Sequence, residues 1–309
     1  MQKIVTLTIS IFSLSTLLFC EPIKPIPHNM NVNVKKAKLG KKLFFDPILS
    51  KDGTISCATC HDLQNGGDDG LKFSFGINGQ KGDINSPTVY NAVFNFRQFW
   101  DGRAKDLKEQ ASAPIENPVE MGHTMHGAVE VLKQNAKYIE IFSEVYKDGI
   151  TKNTIADALA EFEKTLITEN APFDRYLNGD QNAINEKAKK GYLLFKSKGC
   201  ILCHNGVNVG GNLYNKFGIY EDSKSKHLGR YNITKREEDK YVFKVPSLRN
   251  VALTAPYMHD GRVSTLNKAV ELMTEYQLGR YMEAGDTDAI VAFLKSLTGE
   301  LPEIVRTTQ

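Results

Sequence analysis

Two short runs constrain this chain more than anything else in it: Cys57-Ala58-Thr59-Cys60-His61 and Cys200-Ile201-Leu202-Cys203-His204. Both read Cys-x-x-Cys-His, the attachment signature of c-type haem. Cysteines three apart lie on one side of a helical turn, so both can reach the vinyl groups of one porphyrin. The adjacent histidine then falls beneath the iron as its proximal ligand. The competing reading is one structural zinc site built from the two cysteine pairs. A histidine directly after each pair, in a chain that opens like an exported protein, favours haem.

The rest of the sequence bounds that reading. The chain has 309 residues, 41% hydrophobic and 24% charged, a soluble globular balance. At roughly 100–200 residues per domain this length fits two domains, each able to bury a core. Lys and Arg total 39 against 36 acidic residues, and the formal net of +3 is too small to point to a nucleic-acid partner. Met1-Gln2-Lys3 followed by an apolar run to Phe19 reads as a secretory signal, residues 1–20. The run falls short of the ~20 residues of a spanning helix, and nothing later supplies one. Cys20 could carry a lipid, but Leu18 and Phe19 suit such a site poorly, so an unanchored exported chain is expected. Five cysteines are too few for a disulfide scaffold, and four of them are the haem tethers.

Apolar periodicity predicts helices over 35–45, 104–111, 128–146, 154–167, 183–198, 266–276 and 287–297, with the first closed by Asp46-Pro47. Residues 21–27 read as a Pro-rich spacer and 170–182 as a linker. The stretches 57–95 and 206–245 are Gly-rich, polar and aperiodic, which predicts long loops wrapped around something. Strand-like alternation is nearly absent, so the class is mostly α, in two weakly similar halves.

The sixth iron ligands decide function. Histidine with methionine suits electron transfer, and an open iron can bind a small oxidant. The candidates are seven histidines, His28, His61, His123, His126, His204, His227 and His259, and methionines including Met121, Met125, Met258 and Met273. Spacing alone does not choose among them.

Further runs carry a resemblance. Ser86-Pro-Thr-Val89, Gln98-Phe-Trp-Asp-Gly-Arg-Ala-Lys-Asp-Leu107, Val119-Glu-Met121, Val242-Phe-Lys-Val-Pro-Ser-Leu-Arg-Asn250 and Ala255-Pro-Tyr-Met-His-Asp-Gly261, together with the haem motifs, resemble the bacterial di-haem cytochrome c peroxidases from Leu39 to Leu301. The resemblance implies two cytochrome c-like domains, each wrapped around one covalently attached c-type haem. Residues 35–170 would hold the peroxidatic haem and 183–301 the electron-transferring one. It implies hydrogen peroxide as substrate, a small cytochrome c or cupredoxin as electron donor, a periplasmic location and a homodimer. Residue by residue, Trp100 falls on the electron bridge between the haems, and Gln110 and Glu120 stand over the peroxidatic iron. His61 falls on the ligand of that iron, and His204 with Met273 on the ligands of the second. A calcium ion between the domains falls on the side chain of Asn85 and the carbonyls of Thr254 and Pro256.

In the mechanism this implies, Glu120 is the general acid and base that moves a proton between the peroxide oxygens, because burial raises a carboxylate towards the working range. Its competing reading is a solvated cap carboxylate ahead of the helix near Ala128. One departure stands out. Many family members cap the peroxidatic iron with a histidine in a Ser-x-Gly-His-Gly loop, and here that loop is Ser74-Phe-Gly-Ile-Asn-Gly-Gln80, with Ile77 at the histidine position. An isoleucine cannot ligate iron, so the expectation is a peroxidatic haem ready without reductive activation, unless His123, His126 or His259 replaces the cap. Two other functions compete: a non-catalytic di-haem electron carrier, and a di-haem protein-modifying oxidase, in which a tyrosine stands at the place of Met273.

Overall fold

The computed structural model describes residues 21–28 and 30–306; the signal segment and Cys20 lie outside the described residues. The fold is mostly helical, with α1 (Val34–Phe45), α2 (Cys57–Cys60), α3 (Leu107–Glu116), α4 (Met125–Lys133), α5 (Ala136–Val145) and α6 (Lys152–Glu163) in the first half. Then follow α7 (Pro172–Leu177), α8 (Glu186–Ser197), α9 (Tyr231–Thr234), α10 (Leu266–Leu278), α11 (Asp286–Lys295) and α12 (Glu303–Arg306). Two short antiparallel strands, β1 (Tyr214–Lys216) and β2 (Val242–Lys244), pair Tyr214 with Lys244. No helix among the described residues is long and apolar enough to cross a membrane.

Local chemistry sets the helix limits. Asn33 caps α1 by accepting from the Lys36 amide, and Asp46 ends it ahead of Pro47. Thr151 and Thr154 form a reciprocal capping box on α6, Asn185 caps α8 and Thr265 caps α10. Each such cap contributes about 1 kcal/mol. The single helix expected over 128–146 is two, because the chain breaks at Gln134 and Asn135 takes over as the cap of α5.

Apolar side chains gather in two clusters. One joins α1, α3, α4, α5 and α6 around Leu43, Phe44, Phe142, Leu159 and Phe162. The other joins α7, α8, α10 and α11 around Phe173, Phe195, Phe293 and Leu297. In each, two helices cross at a glycine: α1 with α6 in the first and α8 with α11 in the second. A Cβ on Gly40 of α1 would stand 1.9 Å from the Ala158 carbonyl oxygen of α6, and one on Gly191 of α8 would stand 1.8 Å from that of Ala289 of α11. Only glycine permits backbones that close.

Two expectations are corrected here. Residues 21–27 are no spacer: Ile23 and Ile26 are 0% and 3% exposed, and Ile23 pairs with Gly206. Residues 170–182 are no loose linker, because α7 drives Phe173 into the second cluster and Asp174 against Arg249. In both segments prolines shape a packed path rather than a flexible one.

The halves also share their loop geometry. Asn91 and Asn250 both adopt left-handed backbone (φ 59°) before a short 3-10 turn, and the amides of both donate to the Thr168 hydroxyl, at 2.8 and 2.9 Å. Phe99 and Met258 are likewise left-handed, each one residue before an aromatic ring, Trp100 and His259, and those two rings meet edge to face at 6.2 Å.

Candidate functional site

The two cysteine pairs sit on different clusters, Cys57 against the first and Cys200 against the second, so they do not form one four-sulfur site. No disulfide joins any of these four cysteines. Burial pushes Cys57 up to about 12 and Cys60 and Cys200 up to about 11, well away from activated thiolates.

Around the second pair the chain forms a cavity of about 470 Å³. It brings together Cys200, Cys203, His204 and Met273 with Trp100, Phe195, Phe217 and Phe243. His204 is 9% exposed, and burial pushes it down to about 4 against the nearby carbonyls of Val209 and Pro246, so it stays a neutral imidazole, the form that ligates metal. Met273, on α10, faces the same space rather than closing the core. An apolar cavity with two tethering thiols, a neutral histidine and a thioether fits a haem. Lys244 also lines it at 6% exposure, its ammonium pushed down to about 8 by burial.

At the first pair, His61 Nδ1 lies 3.1 Å from the Gly67 carbonyl oxygen. That oxygen only accepts, so Nδ1 carries the proton and Nε2 keeps its lone pair for a metal, the arrangement expected of a haem ligand. The His61 ring is tilted against Phe44 at 6.4 Å. Glu120 lies near enough to this pair that its charge adds, after burial, to the upward push on both Cys57 and Cys60. It does not cap a helix: Thr124 caps α4, and Glu116 accepts from the Met125 amide. Instead Glu120 Oε1 accepts from Asn117 Nδ2 at 2.7 Å. Burial holds the Glu120 carboxyl above the usual range, and the Asn117 bond and the Arg103 charge pull against it. Among the described residues no hydrogen bond joins Gln110, on α3, to Glu120. Beside Cys57, Glu163 is 7% exposed and pushed up to about 8 by burial alone.

The loop that carries Ile77 docks on the Glu120 turn. The Ile77 amide donates to the Glu120 carbonyl at 2.8 Å, and Ile77 is 6% exposed against Gly122. Of the histidines that could replace a cap, His126 is exposed on α4 and His123 lies against Gly127. His259 stacks on Phe243 at 4.3 Å and meets Ser225 Oγ at 2.6 Å, on the wall of the other cavity.

On the wall of the second cavity, Trp100 Nε1 donates to the Asn85 carbonyl at 2.9 Å and the Lys244 amide donates to the Trp100 carbonyl at 2.7 Å. Asn85, Thr254 and Pro256 line one cavity. Asn85 spends its amide nitrogen on the Leu71 carbonyl at 2.9 Å, which leaves Oδ1 as acceptor. Among the described residues neither the Thr254 nor the Pro256 carbonyl accepts a hydrogen bond, so three oxygens stand unspent, a donor set that suits a hard cation.

Sequence reasoning missed Asn117, Glu163, Lys244 and Asp68. Asn117 carries a faint signal, since an Asn directly before a proline, here Pro118, favours a turn; the others are set by burial and carry none.

A family model described as di-haem cytochrome c peroxidase matches residues 34–182. The chain is 48% identical to the cytochrome c551 peroxidase of Nitrosomonas europaea, over 96% of this chain and 93% of that one. It is 45% identical to the cytochrome c551 peroxidase of Pseudomonas aeruginosa, over 91% of this chain and 85% of that one. Among solved structures, a MauG-like protein associated with microbial copper homeostasis superposes with a TM-score of 0.79 at 26% identity, covering 93% of this chain and 95% of that one.

Proposed function

The chain belongs to the di-haem cytochrome c peroxidase family, and on that premise we propose that it reduces hydrogen peroxide to water in the periplasm with electrons from a small reduced cytochrome c or cupredoxin. Residues 35–170 form the peroxidatic domain and 183–301 the electron-transferring one, and the working unit is a homodimer. The observation that carries the reading is Glu120: a carboxylate raised by burial, held by Asn117 at one oxygen, on the site of the first cysteine pair.

Cys57, Cys60 and His61 hold one haem and Cys200, Cys203, His204 and Met273 the other; bound, they supply a peroxide-binding iron and a one-electron relay. Reduction of peroxide to two waters consumes two protons and two electrons. With Oε1 engaged by Asn117, Glu120 uses Oε2 to take the proton from the near peroxide oxygen and return it to the far one. Gln110 positions the peroxide. Trp100, fixed by its Nε1 bond and its backbone bond to Lys244, occupies the path between the sites. Asn85, Thr254 and Pro256 hold calcium across the same junction. Ile77 caps the space beside Glu120 with an apolar side chain, which leaves no ligand to remove before peroxide enters.

Purified, fully oxidised protein should show a high-spin or water-bound first haem and turn over reduced cytochrome c with peroxide from the first cycle. A bis-histidine low-spin signal from that haem would overturn the Ile77 reading, and no turnover with any donor would favour a plain electron carrier. The protein-modifying alternative is disfavoured by Met273 in the ligand position.

A further inference from the structure

The oxygens assigned to the interdomain calcium, from Asn85, Thr254 and Pro256, are all neutral. A divalent cation taken partly out of water needs opposite charge nearby, and calcium affinity follows the number of charged ligands. Among the described residues, Asp68 is a buried carboxylate suited to that task that no salt bridge explains. Asp68 is 2% exposed, its Oδ1 is fully buried, and no donor in the protein reaches that oxygen. No lysine or arginine pairs with it among the described residues.

The loop that carries it lies close to the turn that carries Thr254. A Cβ on Gly66 would stand 3.1 Å from Asp68 Oδ1 and 3.0 Å from the Leu253 carbonyl oxygen, so the carboxylate and the turn that carries Thr254 share one wall. A Cβ on Gly70 would lie 3.9 Å from the Ala255 carbonyl oxygen. One residue further, the Leu71 carbonyl takes the amide of Asn85. Residues 66–71 thus run between Asn85 and the 253–256 turn, and Asp68 is the one anion they bury there. Its charge is also felt at Tyr257, whose hydroxyl it raises.

We infer that Asp68 is the acidic member of the interdomain cation site, its Oδ1 facing the bound divalent cation or a water on it. The inference rests on the calcium reading above and adds to it the charge that the three neutral oxygens lack. It also explains why a carboxylate with one oxygen unpartnered and only backbone amides of its own loop beside it is kept in a buried position.

The test uses the di-haem holoprotein stripped with a chelator and titrated calorimetrically with calcium, as wild type, Asp68→Asn and Asn85→Ala. Asp68→Asn should weaken calcium binding by about 10–100-fold, the loss expected when a carboxylate supporting a metal site is neutralised. Thermal unfolding gives a second readout that a merely structural residue would not move. In chelator, Asp68→Asn should unfold at or above the wild-type midpoint, because it removes an uncompensated buried charge; in excess calcium the order should reverse. Equal calcium affinity in wild type and Asp68→Asn, with Asn85→Ala impaired, would overturn the role of Asp68 and leave the cation site standing. A deficit of Asp68→Asn that is the same with and without calcium would overturn it too. Absence of any calcium binding by wild type would remove the cation reading and this inference together.

Discussion

Glu120 is tuned by opposed forces that can be separated by substitution. Burial disfavours its charge, and the 2.7 Å bond from Asn117 favours it. To accept a proton from peroxide the carboxylate must be ionised, so activity should rise with pH through its elevated pKa. Removing Asn117 takes away a contact that favours the charged form, so in Asn117→Ala the acid limb of the kcat/KM profile should move to higher pH. Glu120→Gln, which cannot cycle a proton, should lose about 10²–10⁴-fold in kcat, the usual contribution of a positioned acid and base; retained turnover would sink that role. Glu120 and Trp100 stand out in the sequence because they sit in dense motifs. Asn117 and Asp68 could not, since their importance comes from which loop presses on which, and aperiodic loops leave no trace of that in residue order.

At the level of helices, the two halves use one device twice. Leu39-Gly40-Lys41 and Lys190-Gly191-Tyr192 each place a glycine where one helix backbone meets another, and the facing atom is a carbonyl oxygen in both cases. A backbone oxygen cannot swing aside as a side chain can. Gly40→Ala and Gly191→Ala should therefore each cost at least about 3 kcal/mol, the upper part of the usual overpacking range, measured as a lowered midpoint of unfolding in denaturant. Most helices were legible from their periodicity, and the similarity of the halves showed in the runs that precede each cysteine pair. The break between α4 and α5 was hidden because Val131 and Leu132 continue the apolar pattern up to Asn135, and only the cap chemistry of that asparagine decides for two helices. The twin asparagines at 91 and 250, meeting on Thr168, belong to the same repeat and were concealed inside stretches that read as loop.

Over the whole molecule, one buried ion pair ties together segments distant in sequence. Arg249 Nη1 meets Asp174 Oδ1 at 2.7 Å, Nη2 donates to the Lys24 carbonyl at 2.9 Å and Nε to that of Val207 at 3.0 Å. Asp174 Oδ2 accepts in turn from the Ile26 amide at 3.3 Å. Arg249 is 1% exposed, so Asp174→Asn would strand a buried cation and should cost about 3–5 kcal/mol in unfolding free energy. Prolines at 22, 25, 27 and 172 suggested slack chain in the sequence, and the partners that pin those segments lie too far along it to be read locally. The order of residues then has a temporal meaning. A chain delivered start first brings out Ile23 and Ile26 long before Phe293 and Leu297, the far wall of the cluster that receives Ile23, so these early residues emerge before the surface that buries them exists.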